Sequence, residues 1–352
     1  MQLSQFDYDL PPELIAQTPI EPRHASRLMV LHRATGQISH HTFMDLVDFL
    51  SPGDLLIANN SRVMPARLLG QKESGGRVEI LLLKRINDLQ WEALVGGKRL
   101  RPGTVVKIKN QTSQVFETCK VLADLGDARR LIEFAMPIDA LLPQLGHVPL
   151  PPYIHTALPD PERYQTVFSR VDGSAAAPTA GLHFSPELLL ALRDKGVGLD
   201  YVTLHIGLDT FKPVTEEQIE QHEIHREFAS LTAETAQHIN QTKLAGGRVV
   251  AVGTTSVRTL ETAARGGTLK GDSSTCPWQT VTAIAEETNL FIYPGYNFKA
   301  VDVLLTNFHL PKSTLLMLVS AFGGFDFVKQ AYQIAMSEKY RFYSFGDAML
   351  IL

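Results

Sequence analysis

Two apolar patterns recur along the chain. Runs of four to six Val, Ile, Leu and Ala residues predict strands buried on both faces, and segments with apolar positions three and four apart predict helices packed on them. In the first sixty residues, Pro11-Pro12 sets a helix start and 28–31 reads as a strand. Thr35-Gly36-Gln37 reads as a hairpin turn, 43–50 as a helix stopped by Ser51-Pro52-Gly53, and 54–58 as a buried strand.

The texture changes near Asn60. Strand candidates 78–83, 91–95, 104–108 and 131–134 follow, broken by Gly75-Gly76, Gly96-Gly97 and Pro102-Gly103, and predict a small antiparallel barrel that ends in the stiff Pro149-Leu150-Pro151-Pro152. After Tyr164 strands alternate with helices. Strands are expected at 198–206, 248–252 and 301–306, and helices at 186–194, 233–245, 256–264 and 313–322. A further helix is expected to start at 215–219, with Thr215 as its N-cap. The expected fold class is α/β: a large mixed α/β domain with an inserted small antiparallel β-barrel domain. The expected segments are 1–60 and 151–352 for the large domain and 61–150 for the barrel.

Composition changes this picture little. The 352 residues are 44 % hydrophobic, which is ordinary for a globular chain. No apolar run is long enough to span a bilayer, and the first residues lack a secretory pattern, so a cytoplasmic protein without membrane contact is expected. Cys119 and Cys276 fit no ligand spacing and are expected as free thiols. Nothing suggests a coiled coil, so a monomer is expected.

Charge is more informative. The net value of −4 argues against a nucleic-acid partner, but residues 60–110 carry eleven basic side chains against four acidic ones. That surplus of seven leaves −11 for the rest. A basic module on an acidic body can attract phosphates, although a solvated domain face would look the same.

Chemistry concentrates on loops at strand ends. One loop runs Gly173-Ser174-Ala175-Ala176-Ala177-Pro178-Thr179-Ala180-Gly181-Leu182-His183-Phe184, with small residues that let a ligand approach the backbone and a titratable His at its end. A second, Leu204-His205-Ile206-Gly207-Leu208-Asp209-Thr210-Phe211, closes a strand with His205, which a core hydrogen bond would also explain. A third, Gly253-Thr254-Thr255-Ser256-Val257-Arg258, opens a helix with N–H groups and Arg258 suited to an anion, or is a simple cap. The fourth is Thr306-Asn307-Phe308-His309-Leu310-Pro311-Lys312. His222 and His225, three apart, could share a helix face, with Glu223 between them; the zinc-protease spacing is four, so a metal hydrolase is a competing reading. No GxGxxG follows a strand, and no GxxxxGK[ST] loop is present.

Taken whole, these stretches resemble one family. Asn59-Asn60-Ser61-Arg62-Val63-Met64-Pro65-Ala66-Arg67-Leu68, Gly75-Gly76-Arg77-Val78-Glu79, 178–184, 203–214, 253–261, Tyr293-Pro294-Gly295, 306–314 and Tyr340-Arg341-Phe342-Tyr343-Ser344-Phe345-Gly346-Asp347 are similar to the S-adenosylmethionine:tRNA ribosyltransferase-isomerases of queuosine biosynthesis. Asp209 stands where that pattern has Gly. The resemblance implies a large α/β domain with a small barrel. It also implies an activity: the ribosyl part of S-adenosylmethionine is attached, isomerised, to the 7-aminomethyl-7-deazaguanine base of tRNA, giving epoxyqueuosine and releasing adenine and methionine. S-adenosylmethionine is then a co-substrate, with no cofactor or metal expected.

That reaction needs a base beside the ribose C5′ carbon, an acid for adenine and a deprotonated aminomethyl group. Histidine, with an ordinary pKa near ~6.5, suits each task. The catalytic candidates are His183, His205 and His309, with His225 behind them, and their order stays open. Candidates for binding S-adenosylmethionine are Thr179, Gly181, Thr254, Thr255, Ser256 and Arg258. Phe184, Phe211 and Tyr293 are the aromatic faces available to the sulfonium. Arg62, Arg67, Lys98, Arg99 and Arg101 are candidates for tRNA phosphates. A non-catalytic RNA-binding protein is the remaining alternative.

Overall fold

The structure is a computed structural model that describes residues 1–110, 116–207, 214–265 and 279–352. Asp209, Phe211 and Cys276 lie outside the described residues. The chain divides into two compact units. One comprises residues 1–62, 152–171 and 177–352, and the other 63–151 and 172–176.

In chain order the elements are β1 (Arg27–His32), β2 (Gln37–Thr42), α1 (Leu46–Phe49), β3 (Leu55–Asn59) and β4 (Ser61–Val63). Next come β5 (Arg67–Lys72), β6 (Arg77–Arg85), β7 (Gln90–Gly96), β8 (Val105–Lys109), β9 (Phe116–Asp124), β10 (Arg129–Phe134), α2 (Leu142–Leu145), β11 (Gly146–His147) and β12 (Val171–Ser174). The remainder is α3 (Pro186–Asp194), β13 (Gly198–Leu204), β14 (Glu227–Leu231), α4 (Ala233–Leu244), β15 (Val249–Val252), α5 (Thr254–Ala264), β16 (Ile284–Thr288), β17 (Val303–Asn307), α6 (Thr314–Gly323), α7 (Phe325–Ser337) and β18 (Ala348–Ile351).

The larger unit is built on a nine-stranded mixed sheet in the order β16-β14-β13-β3-β15-β17-β18-β1-β2. Its centre, β13-β3-β15-β17, is parallel. The flanking pairs β17–β18, β1–β2, β13–β14 and β14–β16 are antiparallel. On one face Leu28, Val30, Leu56, Ala58, Val250, Val252, Val303, Leu305 and Leu350 meet Phe43, Leu46, Phe184, Leu188 and Leu192. The alternate residues Met29, Leu31, Ile57, Ala251, Leu304 and Met349 are equally buried, and α5 packs against β13, β15 and β17. Burial on both faces explains why these strands read as unbroken apolar runs. Because the central strands are parallel, their C-terminal ends and the loops that follow gather on one edge, where ligands of such sheets bind.

The smaller unit is a closed six-stranded antiparallel barrel. Its strands run β5-β6-β7-β10-β9-β8, and β8 returns to β5. Leu68, Ile80, Leu82, Trp91, Ala93, Val106, Ile108, Val121, Ile132 and Phe134 fill it. Gly70 sits opposite Ile108 at the closing seam, and a Cβ there would lie 2.8 Å from the Lys107 carbonyl oxygen, so only glycine lets the two strands meet. Cys119 is a free thiol in this core, and burial pushes it up to about 12.

The expected fold class is the observed one: a large mixed α/β unit and a small antiparallel barrel. Two local expectations fail. No helix starts at Thr215. Glu216 turns back to accept from the Thr215 amide and hydroxyl, both at 3.2 Å, and from His222 Nδ1 at 2.7 Å, leaving only a short 3-10 turn at Ile219–Gln221. That carboxylate offers the backbone a partner the helix would otherwise supply. His222 and His225 therefore follow the turn in extended chain and share no helix face. The strands β4, β5, β9, β11, β12, β14, β16 and β18 and the helices α2 and α7 are additions to the sequence reading. Among the described residues no helix is long and apolar enough to cross a membrane.

Candidate active site

The loops after β13, β15 and β17, together with 177–180 and Tyr343-Ser344, border an open cavity of about 790 Å³, solvent at its mouth included. Among the described residues, those that line it all belong to the larger unit. Its floor is the β15-to-α5 junction. Gly253 takes φ +86° there, a left-handed value that an L side chain resists, and turns the chain straight from strand into helix. Thr254 and Thr255 then open α5 with their residues on the cavity.

Arg258 lies one turn further along α5. It is only 5 % exposed, and its Nε donates to the Leu290 carbonyl at 3.2 Å. Its Nη1 donates to Glu227, the first residue of β14. The Glu227 carboxylate also accepts from the Gly207 amide at 2.9 Å and lies 3.4 Å from His225 Nε2. Burial alone would raise Glu227, but the Arg258 charge, with His225 and the Gly207 amide, holds it at about 2, so the pair is ionic. Among the described residues Arg258 Nη2 and Thr255 Oγ1 are buried without a protein partner, and both residues line the cavity. Two unspent donors beside a helix N-terminus suit a carboxylate.

Across the cavity, β17 ends at Thr306-Asn307 and the chain runs on into Phe308-His309. His309 Nε2 lies 2.8 Å from Thr306 Oγ1. Its backbone is held by Tyr332, whose hydroxyl oxygen accepts the His309 amide at 2.9 Å, and by the Tyr8 hydroxyl, which donates to the His309 carbonyl. Burial depresses the His309 imidazole to about 3, so it is neutral at physiological pH. Asn307 accepts from Thr179 Oγ1 at 2.9 Å. Tyr153 and Tyr343, with ring centroids 4.8 Å apart, make an aromatic wall.

Of the residues singled out from sequence, the cavity brings together Thr179, Thr254, Thr255, Arg258 and His309. The others lie elsewhere. His183 is buried behind Asn307 and stacks on Phe43, centroids 4.9 Å apart. Phe184 packs in the sheet core, and Gly181 lies against Thr166 and Phe168. Ser256 turns its hydroxyl to the Val252 carbonyl at 2.8 Å. His205 stacks on Phe228 at the end of β13. Tyr293 packs on Phe291. His225 lines a smaller neighbouring cavity with Phe291 and Leu315, and Arg258 borders both. The sequence reading missed Glu227, Asn307, Tyr153 and Tyr343. Asn307 carried a signal in the quoted strand-end loop, and Tyr343 in the quoted stretch Tyr340 to Asp347.

The candidate phosphate ligands divide. Arg62 donates to Glu162 and, at 3.1 Å, to Ser169, and Arg67 pairs with Glu79 at 2.8 Å. Lys98, Arg99 and Arg101 are exposed on the β7–β8 loop of the barrel. No group of three or more His, Cys, Asp or Glu side chains among the described residues is arranged to hold a metal ion.

A family profile described as "Queuosine biosynthesis protein" matches residues 3–351. The chain belongs to that family. Within it, the chain is 55 % identical over 357 residues to a protein of Symbiobacterium thermophilum named S-adenosylmethionine:tRNA ribosyltransferase-isomerase, with both chains fully covered. It is 50 % identical over 353 residues to the protein of that name from Thermotoga maritima, again with full coverage of both. The crystal structure of S-adenosylmethionine tRNA ribosyltransferase from Thermotoga maritima aligns with 99 % of this chain and 100 % of its own, at 42 % identity and a TM-score of 0.56. Membership of the queuosine biosynthesis family agrees with the resemblance read from the strand-end loops.

Proposed function

We propose that this chain is an S-adenosylmethionine:tRNA ribosyltransferase-isomerase, acting on tRNA that carries 7-aminomethyl-7-deazaguanine and releasing adenine and methionine. The activity follows the name carried by full-length relatives at about half identity. The observation that supports the site is the cavity's polarity: unspent donors at Arg258 and Thr255 on one side, and neutral His309 on the other.

In this reading the methionine carboxylate takes Arg258 Nη2, Thr255 Oγ1 and the α5 N-terminus. The sulfonium faces the Tyr153–Tyr343 wall, whose ring faces attract a cation. A sulfonium acidifies the adjacent C5′ protons, and His309, on the cavity, is the group assigned to take one once the charge of the bound methionine carboxylate lifts its basicity from the depressed value of about 3. No cofactor is required, since S-adenosylmethionine supplies both the ribosyl group and the leaving groups. A monomer is the proposed working form. The tRNA phosphates dock on Lys98, Arg99 and Arg101. A tRNA substrate places the protein in the cytoplasm. A metal hydrolase built on His222 and His225 is not favoured, because those rings serve two different carboxylates, Glu216 and Glu227.

The test is direct. Purified protein with S-adenosylmethionine and precursor tRNA is expected to release adenine and to label the tRNA with ribosyl carbon. Absence of both would overturn the reading.

A further inference from the structure

A buried line of hydrogen bonds behind the cavity has no part in the roles assigned above. It begins at the backbone carbonyl of Tyr343. Tyr343 holds φ +71°, a left-handed value costly for an aromatic residue, and its carbonyl accepts from the Gly346 amide at 3.0 Å. The same oxygen lies 3.3 Å from the side-chain nitrogen of Asn307. A carbonyl can only accept, so Asn307 Nδ2 faces Tyr343 and Oδ1 faces the Thr179 hydroxyl.

The second Nδ2 hydrogen is directed at His183 Nε2, 3.1 Å away. An amide N–H needs an acceptor there, so Nε2 carries no proton and the ring proton sits on Nδ1. Nδ1 is 2.7 Å from Ser26 Oγ, which accepts it and donates to the Arg23 carbonyl at 3.4 Å. Two backbone carbonyls at the ends thus determine every proton between them. Both Asn307 N–H groups are spent, while among the described residues Oδ1 keeps one lone pair after Thr179 takes the other. Asn307 lines the cavity and His183 does not.

We propose that His183 is a positioning residue, not a proton carrier. Its Nδ1–H tautomer fixes Asn307 as a hydrogen-bond acceptor for an N–H or O–H group of the bound ligand. This rests on the S-adenosylmethionine reading, under which that donor is a ribose hydroxyl or the adenine amino group. The cavity then discriminates by polarity: donors at Arg258 and Thr255 meet the carboxylate, and an acceptor at Asn307 meets the nucleoside.

Three measurements test it. In protein labelled with ¹⁵N-histidine, His183 is expected as the neutral Nδ1–H tautomer from about pH 5 to 8. A proton on Nε2 would overturn the relay, and this reading needs no ligand. In kinetics, His183→Leu is expected to raise KM for S-adenosylmethionine roughly tenfold, whereas His183→Gln, which keeps an acceptor near the Nε2 position, stays within about threefold of wild type. Both variants should keep both limbs of the kcat pH profile; loss of one limb in both would make His183 a proton carrier.

The third measurement uses two S-adenosylmethionine analogues, one lacking a ribose hydroxyl and one lacking the adenine amino group. The analogue missing the contacted donor should bind wild type roughly tenfold more weakly, and Asn307→Leu should erase that difference. If Asn307→Leu changes neither difference, Asn307 accepts from neither group and the proposal falls. Wild-type protein that bound no S-adenosylmethionine would sink the functional reading instead, with the tautomer still deciding the relay.

Discussion

The carboxylate of Glu227 and the guanidinium of Arg258 form an ion pair withdrawn from water on both sides, with side chains 2 % and 6 % exposed. Removing one partner leaves the other charge buried and uncompensated. Glu227→Gln is expected to cost roughly 3 kcal/mol of stability, read by urea or thermal unfolding. Replacing both, as Glu227→Leu with Arg258→Met, should recover more than half of that loss. A double variant no more stable than the single one would show that the pair does more than neutralise itself. Because the folded carboxyl is held near 2, its contribution is full above the unfolded value of ~4.3 and is lost as pH falls toward about 2.

His183 and His309 set a second, higher pH window. Burial depresses both to about 3, for His183 with help from the Arg341 and Arg23 charges. Below ~6.5 the unfolded chain binds two protons that the folded chain refuses. This stability is full above ~6.5 and is lost as pH falls toward 3, with a slope approaching ~1.4 kcal/mol per pH unit for each histidine. Unfolding free energies measured from pH 7 to pH 4 should fall accordingly, and His309→Gln should flatten the curve. A wild-type profile that is level across that range would contradict the burial-driven shifts.

For turnover, His309→Ala is expected to lower kcat about 10²-fold or more in an adenine-release assay, with KM for S-adenosylmethionine changed far less. Near-normal kcat would remove His309 from the proton transfers.

On the barrel, Lys98→Ala, Arg99→Ala and Arg101→Ala together should weaken tRNA binding and flatten the log K against log salt plot by nearly one unit per lost contact. Arg67→Ala should do less, since Arg67 is already paired with Glu79. An unchanged slope in the triple variant would exclude that loop as the phosphate contact.

Much of the fold was legible because the central strands are buried on both faces. Residues 54–58 and 248–252 announce themselves as apolar runs, and α3 was read at its observed limits, Pro186–Asp194. Strand β14 was hidden because it begins with Glu227 and exposes Phe228, which inverts the usual pattern. The apparent helix at Thr215 failed because a local carboxylate captured the backbone. In the site, strand-end histidines and threonines were legible as residue types, but which of them reach the cavity was not. His183 and His309 look equivalent in sequence, and only packing puts one behind Asn307 and the other on the wall. Arg258 read as an anion ligand without its partner, since nothing in the spacing ties position 258 to position 227.

The place of β18 has a consequence for how the protein is made. This strand comes last in chain order, yet it lies between β17 and β1, with Leu28 opposite Ala348. During synthesis the β1–β2 hairpin therefore waits, with the β1 edge unsatisfied, until residues 348–351 emerge. Such long-range closure is slow and leaves an apolar strand edge open to wrong partners. Asn307 ends the neighbouring strand β17 and pairs with Ala348. Assembly of the cavity wall and completion of the sheet are thus one event, and a chain arrested before β18 would hold the site's residues without the frame that aligns them.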